Sequence, residues 1–198
     1  MRGQVRSLAI IIPVRPGDDP AITLHSLGRS EFQDFTITIQ HDEWGNANKA
    51  RNEGFKLAPD SEFVLFSDAD INWDPKGIGA MVEALRDPVL GRHFAFAYGQ
   101  YEMDGRLYCS MDFDAAEMRR RNLASTMSVI RRSEFPGWDE SIDRLQDFDL
   151  WLSILTPGKL AVNCGRQIFT TARRDGITQN GKVSYAEAWQ RLKEKHRL

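Results

Sequence analysis

The sequence predicts an α/β fold with a mainly parallel central sheet and helices on both faces. Its first 90 residues alternate between apolar, β-branched segments and segments with helical periodicity. Some of the apolar segments are continuous rather than alternating, as expected of strands that are covered on both faces. Aspartates follow the second and third of these strands, at the edge of the sheet where folds of this class bind ligands.

The first half of the chain predicts the element order β-α-β-α-β-α. The strands are predicted from continuous or alternating β-branched residues at 7–14, 35–40 and 62–66. The first helix begins at Asp18-Asp19-Pro20, which supplies an N-cap and a proline for the first turn. The second helix is predicted over 45–58, and the third begins at Pro75 behind the N-cap candidate Asp74.

The second half of the chain is less regular. Short strands are predicted at 94–98 and 126–130, a short helix at 114–121 and a buried helix at 147–155. A last segment, 184–198, places apolar residues on one side and charged residues on the other. This pattern predicts a helix that docks on the core, with a basic helix at a membrane surface as the alternative.

Composition excludes several function classes. Of the 198 residues, 41% are hydrophobic and 27% are charged, which is typical of a globular protein with a real core. The formal charge of −2 argues against a nucleic-acid binder that relies on a basic surface. The longest apolar run, Leu8 to Val14, is far shorter than the roughly 20 residues that a membrane-spanning helix needs. No secretory signal is evident, so we expect a cytoplasmic protein with Cys109 and Cys164 reduced.

An Asp-x-Asp pair, Asp68 and Asp70, comes directly after the predicted strand 62–66. Residues two apart share a face there, and two carboxylates on one face repel unless a cation or a proton lies between them. Oxygen ligands of this kind suit Mg²⁺ or Mn²⁺, which bind one or two carboxylates together with substrate phosphates. The alternative is a pair of solvated loop aspartates.

Two further aspartates are candidates by position. Asp42 follows the second strand and is expected at the same edge, although an aspartate in this position is more often a cap or turn residue. Asp147 begins an apolar helix, where the helix N-terminus stabilises a carboxylate, and a simple helix-start residue is the alternative. The histidines show no metal-ligand spacing, and the sequence has no Gly-x-Ser-x-Gly and no glycine-rich phosphate loop. Hydrolase triads, P-loops and zinc sites are therefore unsupported.

Five blocks of the sequence together resemble family 2 glycosyltransferases of the GT-A fold. They occur in the family's order within residues 7 to 175 and are Leu8–Val14, Ala50–Gly54, Phe63–Asp70, Ile130–Phe135 and Leu145–Leu152. The resemblance implies a three-layer, Rossmann-like GT-A domain over 1–198. Within it, the resemblance implies a nucleotide-binding half at 1–90, an acceptor and catalytic-base half at 91–175 and a C-terminal helical segment at 176–198.

The same resemblance implies a metal-dependent, inverting glycosyltransferase that uses Mn²⁺ or Mg²⁺. The implied donor is a nucleotide-diphosphate sugar, with a UDP-sugar as the first candidate. The implied acceptor is the hydroxyl of a carbohydrate or of a lipid-linked molecule. In this scheme Asp42 and Arg51 bind the nucleobase, Asp68 lies near the ribose, and Asp70 binds the metal at the diphosphate. Asp147 is the general base that takes the proton of the acceptor hydroxyl.

Three departures from the family pattern stand out. Gln146 precedes the predicted base where the family has an acidic residue. The exit of the first strand is Arg15-Pro16-Gly17-Asp18-Asp19 instead of a short polar turn. The segment Arg173-Arg174-Asp175 lacks the family's histidine, which leaves Arg173 and Arg174 as candidate phosphate partners.

Two alternative functions stay open from the sequence alone. The neutral Gln146 suggests a non-catalytic domain of the same fold that binds a nucleotide-sugar or a protein partner. A haloacid-dehalogenase-like phosphatase would use Asp68 as nucleophile and Asp70 as acid. That motif normally follows the first strand, whereas here it follows the third, so this alternative is the weaker one.

Overall fold

The structure is a computed structural model that describes residues 6–172 and 183–198. Its strands are β1 (Leu8–Val14), β2 (Phe35–His41), β3 (Phe63–Phe66), β4 (Asn72–Trp73), β5 (Phe94–Met103), β6 (Arg106–Tyr108), β7 (Val129–Arg131) and β8 (Leu160–Thr171). Its helices are α1 (Ala21–Gly28), α2 (Ala47–Leu57), α3 (Gly77–Leu85), α4 (Ala115–Met118), α5 (Gln146–Ile154) and α6 (Tyr185–His196).

The strands of the described residues form one mixed sheet in the order β2-β1-β3-β7-β5-β8-β4, with β6 paired to β5. Strand β1 pairs parallel with β2 and β3, and β5 pairs parallel with β8. Strand β7 is antiparallel to both β3 and β5, and β4 and β6 are antiparallel to their neighbours. The predicted parallel order is thus confirmed for the first three strands, while the second half adds antiparallel pairings. The three residues of β7 are too few for the sequence to indicate their direction.

Two hydrophobic clusters explain why β1 is continuously apolar. Leu8, Ile10 and Ile12 belong to one cluster, together with side chains of α1 and α3. Ala9 and Ile11 belong to the other, together with side chains of α2, α4, α5 and α6. All five β1 residues are fully buried, because successive side chains of a strand point to opposite faces and helices cover both.

The strand that sequence patterning missed most completely is β8. It spans Leu160–Thr171 but carries Asn163, Gly165, Arg166 and Gln167 in its middle, so neither alternation nor a continuous apolar run marks it. Its pairing with β5 also shifts register at several points. Irregular pairing of this kind removes the period-2 signal on which strand prediction relies.

The C-terminal helix α6 docks on the core, as predicted. Ser184 and Glu187 form a capping box at its start, and Leu192 is fully buried. The Trp189 ring stacks on Phe148 of α5 with centroids 5.4 Å apart. No helix within the described ranges is both long and apolar enough to cross a membrane.

Close packing of α3 against β8 gives a test of the fold. A Cβ on Gly77 would lie 2.5 Å from the carbonyl oxygen of Ile168 and 2.8 Å from its Cα, so Gly77→Ala must displace backbone. We expect the free energy of unfolding, measured by urea denaturation, to fall by about 1–3 kcal/mol.

A matched control lies two residues further along the same helix. A Cβ on Gly79 would meet only Phe32 Cβ, at 3.5 Å, which is ordinary contact. Because alanine is a better helix former than glycine, Gly79→Ala should leave stability unchanged or raise it by up to about 1 kcal/mol. Equal losses in the two variants would show that α3 does not pack on β8 in this way.

Candidate active site

The carboxyl ends of β1, β2 and β3 meet at one edge of the sheet. In the parallel register Val14 lies beside His41, and Ile11 lies beside Phe66. The segments that follow these three strands therefore leave the sheet next to one another. They begin with Arg15, Asp42 and the run Ser67-Asp68-Ala69-Asp70.

An open cleft of about 440 Å³ lies at this edge, lined by Arg15, Pro16, Asp18, Asp42, Gly45 and Ala47. Asp42 is only 4% exposed, and its Oδ1 accepts hydrogen bonds from the backbone N–H groups of Trp44 (3.0 Å) and Asn46 (3.2 Å). The predicted donor-binding aspartate therefore lines a cleft and also holds the loop that leads into α2.

Arg51 of α2 forms a buried network rather than part of the cleft wall. Its Nη2 donates to Asp68 Oδ1 at 3.1 Å, and its Nη1 donates to Asn48 Oδ1 (3.1 Å) and Gln146 Oε1 (3.0 Å). The guanidinium also lies 4.7 Å from the centre of the Trp138 ring. The structure thus places Arg51 between the end of β3 and the start of α5, and contact with a nucleobase stays a prediction.

Asp147 lies in the first turn of α5. Its Oδ1 accepts from the backbone N–H of Phe148 (2.9 Å), and its Oδ2 accepts from Asn122 Nδ2 (2.8 Å). Burial raises the pKa of Asp147, and it outweighs the two hydrogen bonds and the charge of Arg51, which lower the pKa. A carboxylate with a raised pKa is better suited to accept a proton near neutral pH.

The backbone immediately before Asp147 is strained. Leu145 has φ +63°, a left-handed conformation that is uncommon for a leucine, and no side chain caps α5 there. Its carbonyl still accepts the N–H of Asp149 at 2.9 Å, so the helix starts abruptly. Strain of this kind often persists at functional sites, and here it sets the direction in which Gln146 and Asp147 leave the loop.

Gln146 takes a defined place in the network. Its Oε1 accepts from Arg51, and its Nε2 donates to the carbonyl of Ile142 at 3.1 Å. Because the amide is neutral, it fixes the guanidinium without cancelling its charge. The positive charge of Arg51 is thus left to act on Asp68 and Asp147.

Other residues near Asp147 were not singled out by sequence. Asn122, which donates to its carboxylate, follows three arginines in a segment without a motif.

Cys109 and Cys164 are free thiols, as predicted. Burial and then the charge of Asp147 raise the pKa of Cys109 to about 12, so that thiol stays neutral.

Asp68 and Asp70 are the predicted metal-site aspartates. The Asp68 side chain is 41% exposed and is already paired with Arg51, and the Asp70 carbonyl accepts from the hydroxyl of Thr171 at 3.4 Å. The part of the chain that the structure describes holds no group of three His, Cys, Asp or Glu side chains able to bind a metal. Carboxylate oxygens are ligands that Mg²⁺ and Mn²⁺ bind together with substrate phosphates, so metal binding at Asp70 stays a prediction. The candidate phosphate partners at 173–174 lie outside the described residues.

Arg15 is the functional candidate that sequence analysis passed over. Its Nε and Nη2 donate to Asp18 Oδ2 (2.9 Å) and Oδ1 (3.4 Å). The hydrogen bond to Asp18 raises the pKa of the guanidinium, burial opposes this, and the charges of Asp18, Asp68 and Asp70 raise it further. Arg15 is the first residue after β1, so the rule that selected Asp42 could have found it.

The pKa of Asp147 leads to a stability prediction. Since folding raises this pKa, the wild type loses stability as the pH rises from the ordinary carboxyl value of 3.8 through the folded value. Asp147→Asn removes that titration. The stability of the variant relative to wild type should therefore increase with pH in urea denaturations between pH 4 and pH 8.

The control for this measurement is Asp60→Asn, because the Asp60 side chain is 97% exposed. It should show no comparable trend. A stability difference between Asp147→Asn and wild type that is the same at every pH would contradict the raised pKa.

Comparison with known proteins identifies the fold. No protein-family model and no curated protein matches the sequence. Among solved structures, S. aureus TarS 1-349 in complex with UDP-GlcNAc matches with a TM-score of 0.70 at 13% identity, covering 96% of this chain and 66% of that chain. GalNAc-T7 with UDP, GalNAc and Mn2+ matches with a TM-score of 0.66 at 12% identity, covering 97% of this chain and 48% of that chain. This chain thus spans less than two thirds of either structure. The GT-A fold predicted from sequence is confirmed, while its three-layer arrangement and mainly parallel sheet stay predictions.

Proposed function

We propose that this protein is an inverting family 2 glycosyltransferase that transfers a sugar from a UDP-sugar to an acceptor hydroxyl. One observation carries the proposal: Arg51 joins Asp68, at the donor edge of a GT-A sheet, to the turn of α5 that holds the half-buried carboxylate of Asp147. The solved structures of this fold with bound UDP-GlcNAc or UDP support the choice of donor.

On the donor side, Asp42 pairs with the nucleobase in the cleft, and Asp68 lies near the ribose. Asp70 would hold Mn²⁺ or Mg²⁺ together with the oxygens of the diphosphate. Such a metal would supply positive charge to the leaving diphosphate. Arg51 acts indirectly, because it holds Asp68 in place through a hydrogen bond. The hydrogen bonds described for Arg51 all go to protein side chains and none goes to the cleft.

On the acceptor side, Asp147 takes the proton of the attacking hydroxyl. The acceptor oxygen forms its bond to the anomeric carbon as the bond from that carbon to the diphosphate oxygen breaks. No carboxylate is required as a nucleophile, so displacement is direct and inverts the anomeric centre. Phe148 and Asn122 each hold one oxygen of Asp147, which orients the carboxylate for proton transfer.

Asp147→Asn tests the role of the base. The transfer rate of the variant should fall by about 10²–10⁴-fold, because no carboxylate is left to take the proton of the attacking hydroxyl. The variant should still bind UDP as the wild type does. Transfer is measured as UDP release with a panel of carbohydrate and lipid-linked acceptors, and binding by calorimetry.

Two outcomes would reject parts of the proposal. Turnover at the wild-type rate in Asp147→Asn would remove Asp147 from the role of base. A wild type that binds UDP-sugars but neither transfers nor hydrolyses them across the panel would instead identify a non-catalytic binding domain. Asn122→Ala, which frees one oxygen of Asp147 but keeps the base, should lose less activity than Asp147→Asn.

Asp70→Ala tests the metal. The strengthening of UDP binding by Mn²⁺, relative to binding in EDTA, should disappear, because the protein ligand to the cation is gone. Asp112→Ala is the matched control, since Asp112 belongs to a second Asp-x-Asp pair that lines a different cleft. If Mn²⁺ still strengthens UDP binding to Asp70→Ala as it does for the wild type, Asp70 is not the metal ligand.

A further inference from the structure

Arg15 stands between the aspartates of the donor edge. Strand β1 lies between β2 and β3, and its last residue pairs with the last residue of β2. The first residue after β1 therefore has Asp42 on one side and the continuation of β3, with Asp68 and Asp70, on the other. Arg15 also lines the cleft together with Asp42.

We propose that Arg15 binds the diphosphate of the donor, so that part of the binding energy for a nucleoside diphosphate is independent of metal. This inference rests on the proposed function. The family pattern has a short polar turn after the first strand, whereas this sequence has Arg15 there. The inference gives Arg15 a role in binding the donor.

Arg15 supplies the positive charge that this assignment needs at the cleft. Of the residues that the structure describes as lining the cleft, Arg15 is the one with a cationic side chain, beside the carboxylates of Asp18 and Asp42. The neighbouring cation, Arg51, is 6% exposed and committed to Asn48, Gln146 and Asp68. The side chain of Arg15 is 46% exposed, so an anion in the cleft can reach it.

The turn after β1 fixes the position of the Arg15 guanidinium. The N–H of Asp18 donates to the carbonyl of Arg15 at 3.0 Å, with Pro16 second and Gly17 third in the turn. Gly17 has φ +88°, as the third residue of a type II turn requires. This turn brings the Asp18 carboxylate back onto Arg15, where it engages two of the five guanidinium N–H groups. The remaining N–H groups can donate to phosphate oxygens. A planar guanidinium binds two such oxygens at once through parallel hydrogen bonds.

The scarcity of metal ligands points the same way. Residues 6–172 and 183–198 offer no cluster of three metal-binding side chains, so a cation at Asp70 depends on the diphosphate for much of its shell. A fixed guanidinium at the same edge supplies positive charge that needs no metal. A diphosphate between Arg15 and the metal would be neutralised from two sides.

The experiment is calorimetric titration of UDP and of uridine into the wild type and Arg15→Gln, in Mn²⁺ and in EDTA. In EDTA, Arg15→Gln should bind UDP about ten- to a hundredfold more weakly than the wild type, which is the loss expected for a charge-assisted hydrogen bond. Uridine, which lacks the diphosphate, should bind both proteins equally. Arg15→Lys keeps the positive charge but lacks the planar set of guanidinium donors. Its affinity for UDP should therefore lie between those of the wild type and Arg15→Gln.

Arg29→Gln is the charge-matched control, because Arg29 is exposed directly after α1 and contacts Asn72 away from the cleft. It should bind UDP as the wild type does, and thermal unfolding of each variant checks that it is folded. UDP binding to Arg15→Gln that equals wild type in EDTA, or an equal loss of uridine binding, would overturn the inference. A wild type that binds UDP in neither condition would reject the proposed function itself.

Discussion

The buried guanidinium of Arg51 is the interaction on which the candidate site depends. A cation removed from water is costly unless hydrogen bonds and an opposite charge compensate it. Both Nη groups of Arg51 are bonded, while its buried Nε has no hydrogen-bond partner among the described residues. Asp68 supplies the charge, Asn48 and Gln146 supply neutral oxygens, and the ring of Trp138 covers one face. Because these partners come from α2, the end of β3 and the start of α5, the one side chain fixes the sheet edge at Asp68 relative to Asp147, the proposed base.

The surrounding loop and the C-terminal helix support the same junction. Asn52 of α2 both donates to the carbonyl and accepts from the N–H of Trp138, at 2.9 Å each. Lys195 of α6 bridges Asp139 (2.7 Å) and Asp149 (2.8 Å). Although burial opposes ionisation, hydrogen bonds from Lys195 and the neighbouring serine lower the pKa of Asp139 to about 2. The helix that carries Asp147 is therefore held by α6 as well as by α2.

The sequence predicted what depends on local pattern and missed what depends on distant contacts. Strand β1 is an unbroken apolar run, and Asp42, Asp68 and Asp70 follow strands, so chain order alone places them at one edge. The partnership of Arg51 with Gln146 spans 95 residues, and that of Asn122 with Asp147 spans 25. Neither has a spacing signal, because each arises only when the sheet and helices have packed. Strand β8 was missed since its polar middle follows no period.

The neutral residue before the base has a physical explanation in this network. An acidic side chain at position 146 would share the charge of Arg51 with Asp68 and would add a negative charge beside Asp147. Both changes would raise the pKa of Asp147, which burial already raises. Gln146 accepts the same hydrogen bond without either effect, so the positive charge of Arg51 still lowers that pKa. The loss of the acid is therefore compatible with the proposed role of Asp147 as the base.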